Sequence, residues 1–296
     1  WDYFESRYNT LFTDNIPSFI VTQEQIAGLT SGVPIGNRGV LGGTFNYYRF
    51  NDEYYQSKSF TPGDTVDQSK FEGFSLGVFY NQNNLNHKQY PTGGKRIRLS
   101  GRIVRQTEEY TPGSTSLDSF MVFEDQEWVQ FKLEFENYFN ISKRFKVGIE
   151  GTGFYSTQPF FNNYTSSIIR ANAYQPTPDS RTLFLESFRA NQYLAGGIKL
   201  IYKFSKNWQA RLEGYIFQPY QAIDKEQVLR RAQYGEPFDV RHTIANTTIV
   251  YDSPIGPFSA SVNYYYNNTQ VSPGEENPVT FLFNYGFILF RDRALY

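Results

Sequence analysis

Trp128-Val129-Gln130-Phe131-Lys132-Leu133-Glu134-Phe135-Glu136-Asn137-Tyr138-Phe139 is the stretch that decides the fold. Val129, Phe131, Leu133, Phe135 and Phe139 fall on one face of an extended chain, and Gln130, Lys132, Glu134, Glu136 and Tyr138 on the other. One face is greasy and the other charged. The segment is as long as a tilted strand needs to cross a bilayer, about 9 to 11 residues.

The same pattern recurs on both sides of it. Ile97, Leu99 and Ile103 oppose Arg96, Arg98 and Arg102, while Phe145, Val147, Ile149 and Tyr155 alternate with Lys146, Glu150 and Thr152. Ile198, Leu200, Tyr202 and Phe204 alternate with Lys199 and Lys203. Trp208, Ala210, Leu212 and Ile216 oppose Gln209, Arg211 and Glu213, and Phe258, Ala260, Val262, Tyr264 and Tyr266 oppose Ser259, Ser261 and Asn263. Strands are predicted near 16–22, 39–50, 71–81, 95–105, 128–139, 145–157, 192–204, 208–218, 241–252, 257–267 and 278–290. Short turns at 140–144, 205–207 and 252–257 alternate with long polar segments at 105–127, 158–191, 219–241 and 267–277. Such segregation of loop length belongs to outer-membrane barrels, with tight periplasmic turns and longer external loops. The fold class is therefore all-β, an antiparallel transmembrane β-barrel. Eleven strands is an odd count where single-chain barrels are even. Either residues 1–12 add a twelfth strand, or further strands lie upstream of Trp1.

Composition agrees. Of 296 residues, 24 are Tyr, 28 Phe and 3 Trp, yet only 40% are hydrophobic. A soluble core of this size draws on aliphatic residues, whereas a membrane barrel spends its apolar residues on one face and adds aromatic girdles at the interfaces. Tyr47-Tyr48, Tyr54-Tyr55 and Tyr264-Tyr265-Tyr266 are assigned to those girdles. The 28 basic and 29 acidic residues balance, which argues against a nucleic-acid partner. Without Cys there is no disulfide, thiolate metal site or Cys nucleophile, and His87 and His242 stand too far apart in sequence to suggest a metal site. No cofactor is expected. No run of about 18 apolar residues exists, and Trp1-Asp2-Tyr3-Phe4 lacks an initiating Met or signal-peptide pattern. The chain reads as a mature or partial product, a single barrel domain over 1–296.

The last forty residues carry a resemblance. Asp252-Ser253-Pro254-Ile255-Gly256-Pro257 leads into a strand, and Phe281-Leu282-Phe283-Asn284-Tyr285-Gly286-Phe287-Ile288-Leu289-Phe290 closes the chain. This resembles the C-terminal end of the BamA-type outer-membrane superfamily, with its D-[ST]-P-x-G-P turn and a final strand of the form F-x-F-N-x-G. Tyr90-Pro91-Thr92-Gly93-Gly94 resembles the superfamily's Pro-Thr-x-Gly periplasmic turn, and 184–194 lies where the superfamily folds a V-R-G-F/Y loop inward. There only Arg189 matches well; Ala190 and Asn191 replace the Gly and the aromatic. That looser form is similar to the barrels fused to patatin-like phospholipases, which implies a 16-stranded barrel, a serine hydrolase upstream and a bacterial outer-membrane location. The alternative is a complete 12-stranded barrel.

The resemblance implies Ser253, Pro254, Gly256 and Pro257 as a periplasmic turn, and Phe283, Asn284, Gly286 and Phe290 as a C-terminal strand signal. It also implies that Arg189 turns into the lumen to meet a carboxylate, for which Glu213 has the right facing; the pair is the predicted structural lock. The inward charges Arg96, Arg98, Arg102, Lys132, Glu134, Glu136, Lys199, Arg211 and Glu213 read as a salt-bridged or solvated barrel interior. No catalytic residue is assigned, and the G-x-S-x-G nucleophile motif is not in these residues. The expected function is an anchoring or translocation module of a patatin-like phospholipase fusion, the alternatives being a BamA-type assembly barrel and a diffusion porin. Expected partners are outer-membrane lipid, other outer-membrane or periplasmic proteins, or a second copy.

Overall fold

The computed structural model describes residues 2–5, 19–36, 38–57, 61, 63–254, 256–266 and 278–286. In chain order the strands are β1 (Asp2–Glu5), β2 (Phe19–Ile35), β3 (Gly39–Tyr54), β4 (Asp67–Asn83), β5 (Gly94–Thr111), β6 (Val122–Asn140) and β7 (Phe145–Ser156). Helix α1 (Tyr164–Arg170) follows, then β8 (Gln192–Lys203), β9 (Trp208–Pro219), β10 (Gln221–Lys225), β11 (Ala232–Pro237), β12 (His242–Ser253), β13 (Gly256–Tyr266) and β14 (Val279–Tyr285). All but β10 and β11 form one twelve-stranded sheet in sequence order, every neighbour antiparallel. β10 and β11 make a separate hairpin in the long loop between β9 and β12. The sheet is not closed among the described residues: β1 and β14 are its two edges.

The alternating faces take the sides that the sequence predicts. Leu212 is 54% exposed while its neighbour Glu213 is buried, and Leu99, Ile103, Phe131, Leu133, Ile198 and Val262 likewise point out into an apolar belt. An outward apolar band over an inward polar face is the inverse of a soluble sandwich and the pattern of a membrane barrel. The connections keep their asymmetry. One end, the turn end, has tight links at 36–38, 141–144, 204–207 and 254–255, with a longer one at 84–93; the loop end carries 55–66, 112–121, 157–191 and 220–241.

Three expectations are corrected. The strand predicted at 16–22 runs to Ile35, because Gly28, Gly32 and Pro34 break up the apolar alternation without stopping the ladder to β3. β4, β5 and β6 span 17, 18 and 19 residues, so most of the segment 105–127 is strand rather than loop. Its outward residues Arg105, Thr107 and Glu109 are polar, and period-two hydropathy vanishes once the strand leaves the apolar belt. The aromatic surplus, third, is divided. Tyr47 and Tyr264 face outward as girdle residues should, but Tyr48, Tyr54 and Tyr265 are fully buried on the inner face. The twelfth strand is the four-residue β1, inside the 1–12 segment, paired with the start of β2.

Glycine is required at the turn end. Gly94 has φ +99°, and a Cβ there would lie 2.2 Å from the Asn84 carbonyl oxygen. Gly256, at φ +130°, closes the β12–β13 hairpin opposite Ser253, whose Oγ donates to its carbonyl at 2.5 Å.

Candidate functional site

The 157–191 loop turns into the sheet's concave side and fills it. Asn163 caps α1 by accepting from the Ser166 amide at 2.9 Å, and the helix ends on Arg170. Arg170 makes a fork to Asp52 of β3, Nε to Oδ2 at 2.7 Å and Nη2 to Oδ1 at 2.5 Å, and its Nη1 reaches Glu24 of β2 at 3.0 Å. The guanidinium also lies 4.1 Å from the Phe50 ring centroid. Both members of the Arg170–Asp52 pair are buried, Asp52 at 0% exposure, so the charges are tolerable only together.

The loop grips the other edge as well. Asp179 Oδ2 accepts from Tyr265 Oη of β13 at 2.6 Å and Thr280 Oγ1 of β14 at 2.5 Å. In between, Asn163 Nδ2 donates to Tyr54 Oη at 2.7 Å, the Asn162 amide to Glu108 at 3.2 Å and Tyr174 Oη to Glu150 at 3.0 Å. Apolar packing completes the seal: Tyr174, Leu185 and Phe188 bury themselves among Phe154, Tyr193, Tyr215, Phe217 and Ile244 of the wall, and Phe161 packs against Phe71 and Trp128. Burying a Phe such as Phe188 contributes about 1.5–3 kcal/mol. Much of the aromatic content therefore seats a plug. Over it lies the β10–β11 hairpin, where the Arg230 carbonyl accepts from the Tyr164 amide at 3.1 Å and Tyr234 Oη from Asn191 at 3.1 Å.

Arg189 lies inside, 6% exposed, but the lock predicted for it has other partners. Its Nη1 donates to the carbonyls of Ile169 at 2.7 Å, Ala171 at 3.1 Å and Ile168 at 3.4 Å, and the guanidinium covers the Phe184 ring. The last carbonyls of a helix have no intrahelical donor, and a cation there meets both the orphan oxygens and the dipole. Arg189 thus ties the loop to itself. Glu213 is held instead by Arg211 Nε at 2.7 Å and Tyr215 Oη at 2.6 Å, two residues away on its own strand face. The arginine whose ion pairs join loop to wall is Arg170, which nothing in its local sequence distinguishes from an exposed loop arginine.

The inward charges do form salt bridges. Glu136 takes Lys199 at 2.8 Å and Arg96 at 3.3 Å, Lys199 also meets Glu150 at 2.7 Å, and Lys132 lies 3.8 Å from Glu134. His242, the first residue of β12, is buried against Phe188, their rings 5.5 Å apart. At the turn end, the 84–93 link tucks under the sheet: Tyr90 Oη bonds Ser259 Oγ of β13 at 2.7 Å, and Arg211 Nη1 donates to the Pro91 carbonyl at 3.1 Å. Ser253, Pro254, Gly256 and Pro257 lie at the β12–β13 hairpin. Phe283 points outward on β14, Asn284 pairs with Ser259, and Gly286 follows at φ +86°; Phe290 lies outside the described residues.

No family model matches the chain, and no curated protein does. Among solved structures, BamA from Haemophilus ducreyi lacking POTRA domains 1–3 is similar at a TM-score of 0.57 and 16% identity, over 89% of this chain and 54% of that one. The transport unit of the autotransporter AIDA-I from Escherichia coli is far looser, with a TM-score of 0.37 and 10% identity over 86% of this chain and 80% of that one. The BamA likeness shows the fold, that of an outer-membrane β-barrel. This chain spans about half the length of the BamA structure, 54% of it.

Proposed function

We propose that the chain is the barrel module of a larger bacterial outer-membrane protein, its lumen held shut by the 157–191 loop, and that it anchors a domain lying outside these residues. One observation carries this reading. Arg170 binds the β2–β3 edge of the sheet while Asp179, in the same loop, binds β13 and β14, so one segment spans the lumen and fastens both sides. A barrel so filled is suited to anchoring rather than to free diffusion, which favours this reading over a diffusion porin. The turn end faces the periplasm and the loop end the exterior. Unpaired strand edges in hydrocarbon cost several kcal/mol for each unsatisfied group, so β1 and β14, the edges among the described residues, must pair with each other, closing twelve strands, or with further strands. A 16-stranded barrel with strands upstream of Trp1 supplies them.

The finer reading is a barrel joined to a patatin-like serine lipase, supported by the turn at 252–257, the closing strand and the loosened motif Arg189-Ala190-Asn191. A BamA-type assembly role is the second reading, favoured by the likeness to BamA. Its partners would be other outer-membrane or periplasmic proteins; those of the first are outer-membrane lipid, a periplasmic neighbour or a second copy.

The test is fractionation of cells expressing the full-length protein, followed by planar-bilayer recording of the purified barrel. Recovery in the outer membrane, heat-modifiable migration and a mostly silent bilayer are expected. A soluble protein, or a steadily open pore, overturns the proposal. An upstream segment with several periplasmic repeat domains and no G-x-S-x-G favours the assembly reading over the lipase.

A further inference from the structure

The outer shoulder of the plug rests on a carboxylate that has no cation partner among the described residues. Glu108 stands on the loop-end part of β5, beyond the apolar belt, where it faces inward and is 1% exposed. Its Oε1 accepts from the Asn162 backbone amide of the 157–191 loop at 3.2 Å, and its Oε2 from Gln126 Nε2 of β6 at 3.0 Å. A chain of hydrogen bonds runs to it along the wall: Tyr48 Oη donates to Gln106 Oε1 at 3.0 Å, and Gln106 Nε2 to Gln126 Oε1 at 3.0 Å.

The elements packed around Glu108 do not balance its charge. Opposite it on β4 is Phe71, and opposite it on β6 is Glu124, a like charge. On β5 itself Gln106 is neutral, and the Tyr110 hydroxyl donates to Asp67 at 2.6 Å. The loop brings Asn162, whose side chain donates at 3.1 Å to Asp118 of the 112–121 link, another carboxylate. Arg170, 5.6 Å from the Phe71 ring centroid, is bound to Asp52 and Glu24. Burial pushes the Glu108 carboxyl up to about 7; the hydrogen bonds from Asn162 and Gln126 pull against that rise, and the charge of Glu124 adds to it.

We propose that Glu108 makes the docking of the 157–191 loop answer to external pH, tighter in acid and looser in alkali. When the loop leaves, water reaches Glu108 and its carboxyl returns toward the ordinary value, so the docked state binds the proton more tightly than the released one. Docking is therefore favoured below the ordinary value, and that advantage is lost as pH rises through the raised one. The wall takes up the proton without orphaning a polar group. A protonated Oε2 donates to Gln126 Oε1, the Gln126 and Gln106 amides turn over in sequence, and Oε1 keeps the Asn162 amide. The inference rests on the plugged-barrel reading and adds a control to it.

The test is cleavage within the 157–191 loop by proteinase K, on intact cells expressing the full-length protein, at pH 8 and at pH 5. Each rate is divided by that of a free peptide of the same loop, which cancels the protease's own pH dependence. Cleavage slower than reclosing tracks the population of released loop. The span from 4.5 to about 7 is worth roughly a decade per pH unit. At pH 8 the wild type is therefore expected to be cleaved about tenfold or more faster than Glu108→Gln, whose side chain stands in for the protonated carboxyl, and at pH 5 within a few-fold of it. Heat-modifiable migration reports the fold of each variant. Should Glu108→Gln fail to assemble, the exposed Glu124→Gln replaces it: removal of the like charge slows cleavage at pH 8 and does so less at pH 5. A wild-type to Glu108→Gln ratio that is the same at both pH values, a Glu108→Gln cleaved faster than wild type, or in the second case a Glu124→Gln with wild-type rates, overturns the inference. Arg170→Ala separates this failure from that of the plug. If Arg170→Ala raises cleavage while Glu108→Gln changes nothing, only the pH control falls; if it does not, the plugged-barrel reading falls and the inference with it.

Discussion

Arg170→Ala is the perturbation that bears hardest on the plug. The substitution removes a two-pronged bond to Asp52, at 2.7 and 2.5 Å, and a third contact to Glu24 at 3.0 Å. Asp52 stays behind with 0% exposure, an uncompensated charge in a site packed by Phe50 and Phe71. Breaking one partner of such a buried pair costs about 3–5 kcal/mol. At about 1.4 kcal/mol per decade, the ratio of docked to released loop falls by roughly two to four orders of magnitude. Two readouts follow: single-channel recording, in which rare openings of the wild-type barrel become frequent, and the temperature of the heat-modifiable shift, which drops. Arg170→Lys keeps the charge without the fork and falls between the two. Asp52→Ala combined with Arg170→Ala costs less than the sum of the single changes, because the double variant buries no lone charge. Wild-type gating and melting in Arg170→Ala would refute the reasoning, since the pair would then carry none of the docking.

Arg189→Ala takes three carbonyl contacts from the end of α1 and leaves no buried carboxylate without its fork, so it costs about 1–3 kcal/mol and lowers the heat-modifiability temperature less than Arg170→Ala; an equal or larger drop contradicts the division of labour. Tyr265→Phe strips one of two hydroxyl donors from Asp179 and is expected to destabilise docking by about 1–2 kcal/mol, measured by protease access to the 157–191 loop in intact cells. Leu212→Arg on the outward face costs about 2–4 kcal/mol at the bilayer midplane and depresses assembly, whereas an inward change such as Gln209→Leu leaves assembly intact; equal yields count against the membrane face. Asp64, at the loop end, accepts from Thr61 and Ser114, and these hydrogen bonds hold its carboxyl below the usual carboxylate range. Its contribution is therefore present above the ordinary carboxylate pKa and lost as pH falls through the depressed one, so the Thr61 amide, which donates to Asp64 Oδ2 at 2.6 Å, gains hydrogen exchange in acid and Asp64→Asn abolishes that pH dependence.

The sheet was legible because its rule is local. Alternation at Val129–Phe139 and Trp208–Ile216 names the outward face residue by residue, since lipid tolerates little else over the width of the belt. Beyond the belt the constraint lapses, so Arg105 to Glu109 continue as strand without the hydropathy that would mark them, while in β2 Gly28, Gly32 and Pro34 interrupt the pattern inside the belt. The site was legible only in its loop. Length and position picked out 157–191, and Arg189 goes inside as expected, but which carboxylate meets which arginine depends on contacts more than a hundred residues apart, as between Asp52 and Arg170. Glu213 has the facing required of a lock partner, yet Arg211, two residues away on the same face, reaches it at lower entropic cost. The buried tyrosines were hidden for a like reason, because Tyr47 and Tyr48 differ only in which side of the strand each occupies.

The most direct test of the central claim, a membrane barrel filled by its own loop, uses the absence of cysteine from these 296 residues to label β9 one position at a time, any cysteine elsewhere in the full-length protein being first replaced by serine. A fluorophore placed singly at 208–216 in the reconstituted full-length protein is challenged with a nitroxide on the lipid acyl chain. Quenching at 208, 210, 212, 214 and 216 with silence at 209, 211, 213 and 215 is the predicted pattern. Quenching that ignores this period, or lipid contact at 211 and 213, would contradict it.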